Sequence, residues 1–405
     1  MLGPEGKGLI YLLQFMAATG PALLSFGLGP AAVYYLGKER LYPEREIRSG
    51  VLSASFFLGA LPLAIAILAW PLIGGLAGRK LGPFYLFLGL SMVPFAVVAW
   101  NVSYLSLAQG RILAYNLLRS AQNLWFLLCL ILLFCFYGTS LTGAALCWAV
   151  SVFALGAVAP FVSRTQNRGE EHPVPGFLRS AFRFGWQSHL GAVTQFLQQR
   201  VDVLLVSLIC SLSDVGLYSL AVAAAEVLWY IPQTVANVLM PHVANSSEER
   251  ASRLTSTFCR TVFTLNAFLS IVLALAGAWI VPLILPAFRS SVEVIWLLLP
   301  GTVAASLSKV LASDLNGRGK PMETFRPPAL TLVVCALAGI AVIPRFGIAG
   351  AAVVTSCGHI LNSVLFLRVY KRITGVPASE LLLMRYSDLS KVRSYFAGLV
   401  TQSTQ

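Results

Sequence analysis

The sequence predicts an all-α, polytopic membrane protein of two helical lobes related as parallel repeats. Three observations carry this. The 405 residues are 57% hydrophobic and only 11% charged, with a mean hydropathy of +0.77. Apolar runs long enough to cross a hydrocarbon core, about 20 residues each, recur from end to end. Short segments also repeat at a nearly constant offset. A chain this apolar cannot cover itself with polar surface in water, so a bilayer is its solvent and no soluble catalytic domain fits. A β-barrel is excluded as well, because barrel strands are runs of about 10 residues of alternating character.

Eleven spans follow in order, at residues 9–36, 51–77, 83–107, 114–137, 142–163, 182–209, 214–241, 259–285, 291–313, 327–344 and 347–369. Several contain Gly and Pro, as in WPLIGGLAG at 70–78 and WIVPLILP at 279–286. Membrane helices tolerate such breakers because neighbouring helices satisfy the freed backbone groups. Cys129, Cys135, Cys147, Cys210, Cys259, Cys335 and Cys357 lie in or at the ends of apolar runs without CxxC spacing. They read as packing residues, not disulfides or metal ligands.

The net charge of +13 concerns membrane sidedness here, not nucleic acid. Eighteen Lys and Arg fall in one set of alternate loops, from Lys38 to Arg393, against five in the other (Lys7, Arg79, Lys80, Arg289 and Arg345). The positive-inside rule makes the first set cytoplasmic, so the carboxyl terminus is inside and the amino terminus outside. Residues 1–8, MLGPEGKG, read as a loop and not a targeting sequence. The expectation is therefore one further helix ahead of Met1.

The repeat leads to the same expectation. GLIYL at 8–12 matches GLYSL at 216–220, QGR at 109–111 matches NGR at 316–318, and GAA at 143–145 matches GAA at 350–352, at offsets of 208, 207 and 207. That offset spans six helices, so the duplicated units keep one orientation. The expected organisation is an N-terminal lobe of five spans (1–163), a cytoplasmic linker (164–181), a C-terminal lobe of six spans (182–369) and a cytoplasmic tail (370–405).

The stretch LGPEGKGLIYLLQFMAATGPALLSFGLGPAAVYYLG at 2–37 resembles the loop and second helix of the polysaccharide transporter family, the Wzx-type oligosaccharide flippases of the MOP superfamily. RVDVLLVSLICSLSDVGLYSLAVAAAEVLWYIPQTVANVLMPHVA at 200–244 resembles that family's seventh and eighth helices, and NGRGK at 316–320 and RYSDLSKV at 385–392 are similar more loosely. The resemblance implies a MATE/MOP-like fold, here with about eleven transmembrane helices. It also implies a central cavity opening alternately to each side, and an undecaprenyl-diphosphate-linked oligosaccharide as substrate. The departure is the family's first helix, which helps to line that cavity.

Six cations lie within spans: Arg119, Arg183, Arg200, Arg260, Lys309 and Arg368. A diphosphate headgroup needs cations in a cavity to replace its lost water, and Arg offers a planar fork to phosphate oxygens. Arg183, Arg260, Arg368 and Lys309 stand near inner helix ends, where long side chains also snorkel to the interface. Arg119 and Arg200 stand deeper, in a cavity or in internal ion pairs. The substrate-binding candidates are Arg119, Arg200, Lys309, Arg260, Gln195 and Gln199. The two glutamines belong to a wet sixth span with Trp186, Gln187, His189 and Gln198, fit either for sugars or for bonding helices together.

The acids within spans are Asp202, Glu226 and Glu293. Asp202 and Arg200, two residues apart, point to different helix faces, so each needs its own partner. Glu226, with Asp202, is the candidate for binding a coupling ion, H⁺ or Na⁺; the alternative is that Glu226 pairs with Arg200 and holds two helices together. No other cofactor is implied, and the four histidines lack metal-ligand spacing. The tail from Leu381 to Val400 spaces its apolar residues as one stripe, with Arg385, Lys391 and Arg393 available to anionic lipid, and reads as an interfacial helix.

The function expected is translocation of the lipid-linked oligosaccharide from the inner to the outer leaflet of a bacterial or archaeal cytoplasmic membrane. Its partners would be membrane lipids, glycosyltransferases and a polysaccharide polymerase, with no nucleic acid. An ion-coupled multidrug exporter of the same superfamily is the first alternative, disfavoured by six cations against three acids within the spans. A membrane polymerase or ligase needs a sizeable external loop or a catalytic cluster at the outer face, and the external loops here are only a few residues long.

Overall fold

The computed structural model describes residues 3–36, 42–138, 140–163 and 176–382. They divide into two compact units, residues 1–196 and 197–405. The exposure pattern is that of a protein dissolved in lipid. Phe57, Leu68, Trp279 and Leu283 are exposed, whereas Asn101, Asn266 and Asp314 are buried. Nine helices among the described residues are long and apolar enough to span a membrane. The ninth, over 322–374, is two helices meeting at Gly347 (φ 56°, ψ −140°). A further 33-residue helix, Phe177–Ile209, lies outside those nine; its many polar residues lower its hydropathy. Together these recover the eleven spans read from the sequence.

In the first unit, α1 (Gly3–Leu24) begins earlier than expected, because residues 3–8 are helical and not a loop. Pro4 presets φ in the first turn and Glu5 complements the helix dipole there. The expected single span over 9–36 is interrupted before α2 (Leu28–Tyr34), where Phe26 and Gly27 take φ of 45° and 70°. Gly27 meets the backbone of Gly185 so closely that a Cβ on Gly27 would lie 2.6 Å from the Gly185 Cα. The Leu23 carbonyl is met 3.1 Å away by Nε2 of His189, whose ring stacks on Phe26. α3 (Glu44–Ala108) is two spans meeting at Gly82 (φ 70°, ψ 154°), where the sequence places the boundary between its second and third runs. α4 (Ile112–Tyr137) follows, and then α5 (Leu141–Val162), capped by the Ser140 hydroxyl accepting from the Gly143 N–H.

α6 (Phe177–Ile209) begins in the first unit and enters the second. α7 (Leu212–Glu226) opens with a reciprocal Ser211–Asp214 capping box, and α8 (Tyr230–Ala244) continues it after a 3₁₀ turn at Val227–Trp229. Pro232 explains the turn: its ring crowds the carbonyl four residues back, at Leu228. α9 (Glu248–Ile284), α10 (Ser291–Gly317) and α11 (Pro321–Thr374) complete the unit. α10 is its central post, buried along most of its length. The Ser356 hydroxyl of α11 accepts the Gly301 N–H at 2.7 Å, and Ser363 donates to the Ala304 carbonyl at 2.6 Å.

A short α12 (Ser379–Leu382) packs Leu381, fully buried, against α9. The interfacial helix expected in the tail lies for the most part outside the described residues, as does most of the 164–181 linker.

Candidate functional site

α6 brings a polar stripe into the second unit. Gln195, Gln198, Gln199 and Asp202 recur at helical spacing. Gln195 is exposed and Gln199 half-buried; it is Gln198, buried, that lines a small cavity with Asp202, Cys335, Thr355 and His359. The cavity has room for about one water molecule.

Asp202 is 8% exposed and has no ion-pair partner among the described residues. Two neutral hydroxyls donate to its Oδ2 instead, Tyr218 at 2.6 Å and Thr355 at 3.2 Å. Such donors stabilise a carboxylate without cancelling its charge. Tyr218 comes from the VGLYSLA turn at 215–221 and is itself fully buried.

Arg200 points elsewhere, as the two-residue spacing requires. Its guanidinium donates to Glu226 through both terminal nitrogens, at 2.6 and 3.4 Å, with 27% and 28% of the two side chains exposed. Glu226 is the last residue of α7, immediately before the 3₁₀ turn. Trp229, at the end of that turn, carries the Lys309 ammonium 4.5 Å from its ring centroid and meets the His359 ring edge-on at 5.6 Å. Lys309 makes no ion pair among the described residues. Arg200 and Lys309 thus set two formal positive charges against the Glu226 and Asp202 carboxylates, beside a Trp face.

The structure thus gathers Arg200, Asp202, Glu226 and Lys309, from three helices, into one region of the second unit. Arg260 is not among them. Its guanidinium is 5% exposed and donates to the Glu380 carbonyl at 2.6 Å, so it ties α12 to α9 and is spent in packing. Arg119 belongs to the first unit, over the rings of Trp100 and Tyr115 at 4.0 and 5.3 Å. Tyr218, Trp229, Thr355 and His359 are the site residues that the sequence alone does not single out. Only Tyr218 carries a local signal, its place in the VGLYSLA turn; the others depend on contacts between distant segments.

The fold and this charged interior define the class first: a multi-span helical membrane protein with the architecture of the MOP-superfamily transporters. An inward-facing multidrug resistance MATE transporter of that superfamily superposes with a TM-score of 0.72 at 14% identity, covering 92% of both chains. The lipid II flippase MurJ, in an inward closed conformation, superposes at 0.68 and 12% identity over 92% of this chain and 83% of its own. The chain belongs to the polysaccharide biosynthesis protein family, whose model matches residues 1–247. It is 22% identical over 388 residues to the probable low-salt glycan biosynthesis flippase Agl15 of Haloferax volcanii, covering 90% of this chain and 76% of that one.

Proposed function

We propose that this protein is a flippase for an undecaprenyl-diphosphate-linked oligosaccharide, carrying it from the inner to the outer leaflet of the cytoplasmic membrane by alternating access. The observation that carries the reading is the presence of two cations, Arg200 and Lys309, beside the Trp229 face inside a membrane-embedded unit. Charge at that depth is costly unless it serves a polar path. A diphosphate is the ligand that such a group attracts, and a family engaged in polysaccharide biosynthesis supplies one joined to sugar. Arg200 and Lys309 draw the diphosphate, with the Trp229 face beside them for a sugar ring. The substrate crosses with no bond made or broken, and its lipid tail stays in the bilayer. Glycosyltransferases supply it from the cytoplasmic side, and a polymerase consumes it outside.

Asp202 is the place for a coupling cation in this reading. It offers a carboxylate, and Thr355 and Gln198 line the same small cavity, an oxygen set that suits Na⁺ or a proton. Multidrug export, the competing reading, predicts a cavity in which carboxylates outnumber cations.

The test is translocation of a fluorescent lipid-linked oligosaccharide by the full chain in proteoliposomes, with and without a Na⁺ or proton gradient. Translocation that falls at least tenfold in Lys309→Ala supports the proposal, and so does loss of gradient dependence in Asp202→Asn. Cation-drug transport without oligosaccharide transport would overturn it.

A further inference from the structure

α4 divides by character halfway along. Its second half, LWFLLCLILLFCFY at 124–137, is apolar throughout, but its first half presents Asn116, Arg119, Ser120 and Asn123, all exposed. Arg119 lies seven residues into the helix, about 10 Å from its start at 1.5 Å per residue. A polar stripe at that depth is poorly solvated by lipid chains and well solvated by a water-filled path.

Arg119 is also held in an unusual way. No carboxylate pairs with it among the described residues. Its guanidinium lies over the Trp100 ring at 4.0 Å, with Tyr115 5.3 Å away and donating distance to the Tyr115 hydroxyl at 3.1 Å. Tyr104 closes the group, its ring centroid 6.2 Å from Trp100 and 5.9 Å from Tyr115. Tyr104 is in turn seated against Gly29, where a Cβ would strike its ring. Stacking occupies the face of a guanidinium and leaves most of its in-plane N–H donors free. The charge is thus fixed in place and still able to bind oxygens.

We propose that Trp100, Tyr104, Tyr115 and Arg119 form a headgroup station in the first unit: Arg119 takes a phosphate oxygen pair, and the aromatic surface beside it takes the adjoining sugar ring. This rests on the flippase reading above and adds to it a second, separate recognition site, outside the Arg200 and Lys309 group. An interfacial anchor for phospholipid would use the same charge and the same belt of rings, but it would show no preference for a sugar-bearing diphosphate.

The test uses the full chain in nanodiscs of zwitterionic lipid and two water-soluble probes, citronellyl diphosphate with and without one N-acetylhexosamine. Arg119→Ala is expected to weaken both probes about tenfold, and Arg119→Lys by less, since charge remains without the fork. Trp100→Ala is expected to weaken only the sugar-bearing probe, about tenfold, with Trp100→Phe retaining most of the binding. Binding of both probes within twofold of the unmodified protein in Arg119→Ala and Trp100→Ala would overturn the proposal. So would equal losses of both probes in Trp100→Ala, or displacement of the probes by phosphatidylglycerol in the nanodisc, which marks a phospholipid anchor. If the unmodified protein binds neither probe, the flippase reading itself fails, an outcome distinct from failure in the variants alone.

Discussion

The two units hold their arginines differently. In the first, Arg48 donates to the Pro160 carbonyl at 2.9 Å, Arg111 to the Val162 carbonyl at 3.1 Å, and Arg119 lies on aromatic rings. In the second, Arg200 is paired with Glu226 at 2.6 Å and Arg318 with Asp314 at 2.6 Å. Arg111 and Arg318 stand at matching places in the sequence repeat, QGR and NGR, and are held in two different ways. Carbonyls and rings fix a cation without neutralising it, whereas carboxylates neutralise it and create a pair that can be broken. These first-unit arginines therefore keep their charge, whereas Arg200 and Arg318 of the second unit are matched by carboxylates; Arg260, on the Glu380 carbonyl, is held in the first unit's manner.

The largest effect is expected at Asp314. It is fully buried, accepting from Thr255 at 2.7 Å and from Arg318, which also donates to Ser252 at 3.0 Å. Asp314→Ala strands a nearly buried guanidinium and is expected to cost about 3–5 kcal/mol in the unfolding of the purified protein. Arg318→Met in the same background should recover part of that loss. Additive losses would show that the two residues do not act as a pair.

Glu226→Gln keeps the shape of its side chain but removes the charge that balances Arg200. Transport is expected to fall about tenfold, equivalent to about 1.4 kcal/mol. Unchanged transport would reduce the pair to a bond between helices. Arg111→Ala removes a hydrogen bond to a carbonyl and should cost about 1 kcal/mol, well below its repeat counterpart. A loss as large as that of Asp314→Ala would erase the contrast between the units. The smallest change in stability is expected for Arg119→Ala, within about 0.5 kcal/mol, because its side chain is exposed and unpaired with acid. Its effect should appear in headgroup binding.

Much of the fold was legible in local sequence, because a span needs only a run of apolar residues and a break needs only a residue that tolerates positive φ. Gly82 and Gly347 mark two such breaks. The unwinding at Phe26 and Gly27 was not legible: it depends on Gly185 and His189, more than 150 residues away. Of the candidate site, the sequence singled out Arg200, Asp202, Glu226 and Lys309 by their cost inside an apolar run. Partners were harder to read. Arg260 has the same local appearance as a cavity arginine, yet it is consumed by the Glu380 carbonyl, 120 residues further on.

Composition and periodicity determined by themselves that this chain lies in a membrane, roughly how many spans it forms and which residues are too polar to face lipid. Those properties depend on the solvent and on neighbours along the helix. The tertiary structure decided how each charge is held: Arg200 by the Glu226 carboxylate, Asp202 by hydroxyls alone, Lys309 and Arg119 against rings. Electrostatic partners act through a few ångströms of space whatever their separation along the chain, so the folded structure had to bring them together before they could be identified.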